Sequence, residues 1–270
     1  MTESHPKAGG VRRHRVGVAV FVDPAAGIPL QVAAGQGITV LPSLSADNAL
    51  HNARGYVEHA VSQGATEIVS VHPWAMLEPG CEVMGRLAEA LGDRVPVHVV
   101  DSESLGMGTG WVALAAAGAA GQELFGAQVR DLAVRVAKRT SVVVAAAQGS
   151  RLHLLSLASG GGGFGGLLPG RPLCRLAHAQ VRAAGKLRRT GAGTDRLIEL
   201  VQGCASRWDV HVTVQHDGEP DAAYQLAADL GSTGMAVLGG VEVVPFGPQA
   251  VAWAGAGALG VAISPVDWHD

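Results

Sequence analysis

The sequence has little charge of either sign. Charged residues make up 16% of the 270 residues, whereas an average soluble protein has roughly 25%, and the formal net charge is −3. A broad basic face for nucleic acid is therefore not expected. The densest basic cluster comprises Arg182, Lys186, Arg188 and Arg189, and we interpret it as a solvated surface. Hydrophobic residues make up 48% of the chain, enough to bury a substantial core.

Cysteines are few, and long apolar runs are missing. The three cysteines, Cys81, Cys174 and Cys204, are odd in number and far apart. They form neither a disulfide framework nor a zinc motif and favour a reducing compartment. The first residues, MTESHPKAGGVRRHR, have no apolar segment of the kind found in a secretion signal, so residues 1–14 are expected to be a flexible basic tail. No apolar run reaches the roughly 18 residues of a membrane span. We therefore expect a cytoplasmic protein.

Several catalytic and nucleotide-binding motifs are also absent. The sequence contains no Gly-Lys-Ser/Thr phosphate loop, no G-x-S-x-G and no H-E-x-x-H. Gly106, Gly108 and Gly110 are spaced G-x-G-x-G and follow the fourth predicted strand, unlike a dinucleotide fingerprint. A phosphate could rest on the helix amides there, but we favour glycines that let a helix pack closely on a strand. His211 and His216 fall on opposite faces of one strand, which does not make a metal site.

The first half alternates short apolar strands with longer helical patterns. Strands are predicted at 16–22, 37–42, 66–71 and 95–100, and helices near 47–63, 81–91, 107–121 and 126–139. This alternation predicts a parallel sheet with helices on both faces. Ligands collect at the carboxyl ends of such strands. Asp23, His72 and the pair Asp101-Ser102 stand at these ends, so we expect a crevice there.

The pattern changes near residue 140. A strand SVVVAAAQ precedes the glycine-rich stretch LASGGGGFGGLLPGRP, and further predicted elements are helices at 194–207 and 220–230 and strands at 211–216, 236–244 and 258–264. We predict an N-terminal α/β/α domain over 1–139 and a smaller C-terminal α/β domain over 140–270. The run Gly160–Gly163 is either a linker or a loop facing a cleft.

Six segments, in the right order along the chain, resemble the DegV family. Asp101-Ser102 with SLGMGTG is similar to its Asp-Ser…Gly-x-Gly segment, and VAVFVDPAAGIP (18–29) resembles its opening strand. GATEIVSVH (64–72) resembles the strand before its Ser-rich loop, and LLPGRPLCRL (167–176) with KLRRTGAG (186–193) resembles its Lys-Pro and Lys-x-Arg-Thr segments. AGAGALGVAISP (254–265) is similar to its closing Gly-Pro-Gly-Ala-Leu-Gly.

The resemblance implies a divergent DegV member with two α/β domains and a long-chain fatty acid between them. It further implies that hydroxyls, a histidine and backbone amides hold the carboxylate, and that some members present the acid to a separate fatty-acid kinase. The bound lipid would be the only ligand, with no metal, no other cofactor and no catalysis. The residues that the resemblance places at the lipid are Asp23, Ser45, Trp74, Ala75, Asp101, Ser102, Gly106, Gly108, Arg171, Trp253, Gly255 and Gly257.

The polar residues of that set depart from the family pattern. The family's Thr-Ser-x-Pro-Ser aligns with LSADN (44–48), so that Ser45 keeps its hydroxyl while Leu44 replaces the threonine. The first serine of the Ser-rich loop becomes Trp74 or Ala75, depending on register, and the family's histidine becomes Trp253.

The two other departures lie at Asp23 and Arg171. Asp23 is kept but is followed by Pro24 where a serine is usual, and Arg171 stands where a lysine is usual.

The energetics of a buried acyl chain survive these changes. Burial gains roughly 0.8 kcal/mol per methylene, on the order of 12 kcal/mol for sixteen carbons before ordering costs. Each hydrogen bond to a carboxylate is worth about 1.5–3 kcal/mol. The departures remove hydrogen-bond donors to the carboxylate but leave the gain from burying the acyl chain. A lipid crevice, if it is retained, should therefore prefer a less acidic or neutral head group.

Two alternatives stay open. Trp74 and Trp253 could fill the crevice and leave a ligand-free regulatory or interaction protein with the same fold. The chain could instead be a phosphotransferase or hydrolase that uses Asp23, Asp101 and His72.

Overall fold

The structure, a computed structural model, describes residues 17–161, 170–187, 194–205 and 209–267. The predicted tail, Arg188 and Arg189, and part of the glycine-rich stretch lie outside these residues.

The first half folds as the sequence predicts. Its strands are β1 (Val18–Val22), β2 (Ile38–Val40), β3 (Glu67–His72) and β4 (Val97–Asp101), and its helices are α1 (Leu30–Gly35), α2 (Ala49–Ser62), α3 (Gly80–Leu91), α4 (Met107–Ala120) and α5 (Gly126–Arg139). The four strands form one sheet in the order β2-β1-β3-β4. All three pairings are parallel, which confirms the predicted architecture. Only the short α1 was not predicted.

Strand β1 shows why the strands of this sheet have apolar residues at consecutive positions. Val18, Val20 and Val22 pack into one hydrophobic cluster, while Ala19 and Phe21 pack into another on the opposite face. Side chains alternate along a strand, so both faces of this sheet are covered.

The second half contains β5 (Ser141–Ala145), α6 (Arg151–Ser156), β6 (Arg171–Ala177), β7 (Gln180–Leu187), α7 (Asp195–Ala205), β8 (Val210–His216), α8 (Pro220–Gly231), β9 (Val237–Pro245), α9 (Pro248–Ala254) and β10 (Leu259–Pro265). Its six strands run in the order β7-β6-β5-β10-β8-β9. The pairings are antiparallel except for β8 with β9, which is parallel. The strand and helix predictions made for this half are confirmed.

The hairpin β6–β7 and the short helices α6 and α9 were not predicted. The hairpin turn consists of His178 and Ala179, with φ of 53° and 50°. Two-residue hairpin turns with positive φ usually carry Asn or Gly, so the sequence gave no turn signal there.

Three hydrophobic clusters arrange the elements in layers. One joins α2 and α3 to the outer face of the parallel sheet, and another joins α7 and α8 to the outer face of the mixed sheet. The third contains α4 and α5 together with residues of both sheets, among them Val71, Val142 and Val144. Helices α4 and α5 are therefore the middle layer between the two sheets.

Candidate functional site

The carboxyl ends of β1, β3 and β4 meet at one edge of the parallel sheet, as predicted. Asp23 follows β1, His72 ends β3 and Asp101 ends β4. The segments that continue from these ends are a short 3-10 turn at Pro24–Ala26, the loop 73–79 and the loop 102–106. These segments bring most of the predicted site residues together.

Asp23, His72 and Ser70 form a buried polar line. Asp23 Oδ1 accepts the Ala25 N–H at 2.9 Å, Asp23 Oδ2 lies 3.6 Å from His72 Nδ1, and His72 Nε2 lies 2.8 Å from Ser70 Oγ. Ser70 and His72 are fully buried, and Asp23 is 5% exposed. Because Ser70 is enclosed, this line acts in the fold as an internal support for the strand ends.

Gly80 begins α3 directly against this line. A Cβ at this position would lie 2.9 Å from Asp23 Oδ2 and would also contact His72 Nδ1. The absence of a side chain therefore lets α3 begin immediately beside the two strand ends.

The Asp101 carboxylate ties two loops together. Its oxygens accept the Ala75 N–H at 3.2 Å and the Glu103 N–H at 2.8 Å. The Trp74 N–H donates to the Ser104 carbonyl at 2.9 Å. Trp74 is half-buried and packs against the cluster between the sheets, whereas Ala75 is exposed. Both candidates for the family's first serine thus serve the loop through their backbones.

Ser102 and the following glycines support α4. The buried Ser102 hydroxyl lies 2.8 Å from Thr109 Oγ1. Gly106 has φ +54°, and a Cβ there would lie 2.8 Å from Gln215 Oε1. A Cβ on Gly108 would contact Ser104 Oγ and lie 2.5 Å from Val142 Cγ2. These contacts confirm that the glycines serve close packing.

Gln215 on β8 secures the start of α4. The Met107 N–H donates to Gln215 Oε1 at 3.0 Å, and Gln215 is fully buried. Sequence reasoning missed this residue. Its signal was the alternation of His211, Thr213 and Gln215, which places polar side chains on one face of an otherwise apolar strand.

Glu78 is the other residue that sequence reasoning missed. Ser45 Oγ donates to Glu78 Oε2 at 3.4 Å, and Trp253 Nε1 donates to the neighbouring Leu77 carbonyl at 3.1 Å. The Arg151 guanidinium lies 5.3 Å from the centre of the Trp253 ring. Ser45 and Trp253, far apart in the sequence, thus meet on the loop 73–79. The sequence WAMLEPG placed Glu78 in this loop, but no pattern marked it.

Nearby carboxylates affect the pKa values of Glu78 and Cys81. Burial, and then the Asp23 carboxylate, raise the pKa of Glu78, while the nearby Trp253 N–H, the Ser45 hydroxyl and the charge of Arg151 oppose this change. Burial, followed by the Asp101 and Asp23 carboxylates, raises the pKa of the Cys81 thiol to about 12. Cys81 therefore stays a neutral thiol at neutral pH and is a poor nucleophile.

Arg171, Gly255 and Gly257 form a second group beyond the end of α9. The Arg171 guanidinium donates to the carbonyls of Gly257 and of Ala256, the latter at 3.0 Å. The Gly257 N–H donates to Asp217 Oδ2 at 2.8 Å. Gly255 and Gly257 have φ of +82° and +66°, which favours glycine. This turn directly follows α9, and Trp253 on α9 contacts the loop 73–79. Helix α9 therefore connects this second group to the residues at the strand ends.

Among the described residues, no cluster of three or more His, Cys, Asp or Glu side chains is arranged to hold a metal ion. No helix in the described part of the chain is long and apolar enough to cross a bilayer. A surface cavity of about 580 Å³ lies along α2, and its lining comprises Pro42, His51, Asn52, Gly55, Tyr56 and His59. None of these lining residues belongs to the predicted site.

Comparison with known proteins identifies the family. The family model described as an uncharacterised protein of the DegV family matches residues 51–266. A DegV domain-containing protein of Mycobacterium tuberculosis is 29% identical over 211 residues, which cover 77% of this chain and 74% of that protein. The crystal structure of a DegV family protein from Corynebacterium glutamicum superposes with a TM-score of 0.76 at 25% identity, covering 93% of this chain and 98% of that chain.

A Thermus thermophilus DegV family protein, whose structure is described by its fatty acid binding, superposes with a TM-score of 0.78 at 17% identity. The match covers 93% of this chain and 100% of that chain. The two sheets with their helices are thus the two-domain DegV fold. Because the family model spans most of the sequence, the chain belongs to the DegV family.

Proposed function

We propose that this protein binds a long-chain fatty acid or related lipid in a crevice between its two domains, without catalysing a reaction. The domain boundary in this proposal falls at residues 139–140. The head group lies near Ser45, Ser102 and the turn that contains Gly255 and Gly257. Membership of the DegV family, together with the fatty acid binding described for the Thermus thermophilus structure, is the observation that carries the proposal.

The distribution of polar and apolar groups supports this location. Trp74, Leu155, Val251 and Trp253 are partly buried and pack against the hydrophobic cluster between the sheets. Ser45, Glu78 and Asp101 lie at the same end of the molecule, through the contacts of the loop 73–79. An apolar wall beside a small number of polar groups is the usual composition of a lipid or small-molecule site.

An exposed apolar surface adjoins this end. Leu154 is 55% exposed on α6, the helix that packs against α9. Met76, in the loop that receives the Trp253 hydrogen bond, is 59% exposed. Exposed apolar side chains on these segments suit contact with the acyl chain of a ligand.

Presentation of the bound acid to a separate fatty-acid kinase belongs to the same proposal, as a role implied by the family. It requires a free carboxylate on the bound lipid. Co-purification of a kinase subunit with the lipid-loaded chain, and its loss from the delipidated chain, would support this role.

Mass spectrometry of the purified protein tests lipid binding. We expect about one fatty acid or related lipid per chain to be released on denaturation, and an unrelated protein prepared in the same bacterial host to release none. The delipidated chain should then take up a labelled acyl chain. A preparation that is empty as isolated and takes up no labelled lipid would contradict the proposal.

A further inference from the structure

We propose that Glu78 is the specificity-determining residue of the head-group site. Its carboxylate accepts the Ser45 hydroxyl, which would otherwise be free to donate to a fatty acid carboxylate, so the site selects long-chain lipids with an uncharged hydroxyl head, such as a fatty alcohol or a monoacylglycerol. This inference rests on the proposed lipid-binding function and specifies its ligand class; a protein with this selectivity would not present an acid to a fatty-acid kinase.

The hydrogen-bond donors of the site are the first reason. Ser45 and Trp253 are two of the side chains with an O–H or N–H that the family alignment places at the head group. In the structure the Ser45 hydroxyl donates to Glu78 Oε2 at 3.4 Å, and the Trp253 indole donates to the Leu77 carbonyl at 3.1 Å. Both donors are thus directed at the loop 73–79, and a ligand carboxylate would compete with the Glu78 carboxylate for the Ser45 hydroxyl.

The balance of charge is the second reason. Asp23 and Arg151 act electrostatically on Glu78 with opposite signs, and the Asp101 carboxylate lies in the adjoining loop. Two carboxylates held at one site cannot both remain ionised without a strong penalty. A fatty acid anion beside Glu78 would meet this penalty, whereas a hydroxyl can donate a hydrogen bond to the Glu78 carboxylate.

Several other donors near these carboxylates are already used within the protein. Asp101 accepts two backbone N–H groups, from Ala75 and Glu103, and Asp23 accepts the Ala25 N–H. Arg171 donates to the carbonyls of the turn that follows α9. The backbone amides and the one guanidinium that the resemblance would offer to an acid therefore support the loops.

Binding of two probes by the delipidated full chain tests the inference. Labelled palmitate and labelled hexadecanol have the same chain length and differ in the charge of the head group. We expect the wild type at pH 7.5 to bind hexadecanol at least about tenfold more tightly than palmitate, since one unpaired like charge is worth about one pKa unit or more. Glu78→Gln, which keeps the shape and removes the charge, should lower this ratio about tenfold.

Two further variants complete the experiment. Glu82→Gln removes a charge from the exposed first turn of α3 and should leave the ratio unchanged. Glu78→Ser, which offers a hydroxyl donor to the ligand, should favour palmitate at least as strongly as Glu78→Gln. Thermal denaturation of each variant checks that it folds.

The outcomes separate this inference from the proposed function. Tighter binding of palmitate than of hexadecanol by the wild type, or a ratio unmoved by both Glu78 variants, overturns the role of Glu78 and leaves lipid binding intact. If none of the proteins binds either probe, lipid binding itself is overturned, and the inference with it.

Discussion

Trp111 on α4 and His211 on β8 stack between the two sheets, with ring centroids 4.2 Å apart and planes inclined by 11°. The Trp111 indole also donates to Thr213 Oγ1 at 3.0 Å. Burial lowers the pKa of His211, and a hydrogen bond with the Leu238 backbone partly opposes this. The folded state therefore favours the neutral ring, and the stacking on Trp111 gives His211 a structural role.

The stability of the protein should therefore depend on pH through His211. The unfolded ring takes up its proton near pH 6.5, whereas the folded ring resists protonation, so stability falls as pH drops below about 6.5 and levels off below the folded pKa. Urea denaturation at pH 7.5 and 5.5 measures the difference. His211→Gln, which cannot titrate, should lose less of its free energy of unfolding between these values than the wild type. An equal loss in both proteins would contradict this assignment.

At the scale of elements, α4 differs from every other predicted helix because its apolar residues lie on all sides. Ten of its fourteen residues are buried, since the helix packs against both sheets. The helix and its glycines could be predicted from the sequence. The contact of Gly108 with Val142 on the second sheet could not, because it joins segments that local periodicity does not relate.

A side chain at Gly108 should prevent this close approach. Gly108→Ala places a methyl group 2.5 Å from Val142 Cγ2 and against Ser104 Oγ, and overpacking of this kind costs about 1–3 kcal/mol. Gly55→Ala, in the exposed interior of α2 with no atom within 4 Å of the new methyl group, should stabilise the protein by about 0.5–1 kcal/mol. Urea denaturation of both variants measures these opposite signs, and a neutral Gly108→Ala would show that α4 can shift.

At the scale of the whole molecule, the two sheets share the hydrophobic cluster that contains α4 and α5. Hydrogen bonds cross between the halves at Gln215 and Trp253. Separation of the halves would expose apolar surface on α4 and leave the Met107 N–H without its partner. The halves therefore depend on each other for stability although each has its own sheet.

Unfolding should accordingly occur in one cooperative transition. Tryptophan fluorescence reports on all five tryptophans, of which Trp111 and Trp253 lie between the halves, and far-ultraviolet circular dichroism reports on all helices. We expect urea midpoints from the two signals to coincide, because local loss of the interface removes the core of both halves. Two separated transitions would show that the halves unfold independently.

The sequence by itself determined most of the strands and the main helices and predicted a parallel sheet in the first half, because hydrophobic periodicity and β-branched runs are local properties of the chain. It also carried the DegV resemblance and placed Asp23 and Asp101 at strand ends. Only the tertiary structure decided that Ser45 and Trp253 meet on the loop 73–79, that Arg171 supports the turn at Gly257, and that Gln215 holds the start of α4. These contacts join residues that are distant in the sequence, and their charge and hydrogen bonding depend on which loops the packed sheets bring together.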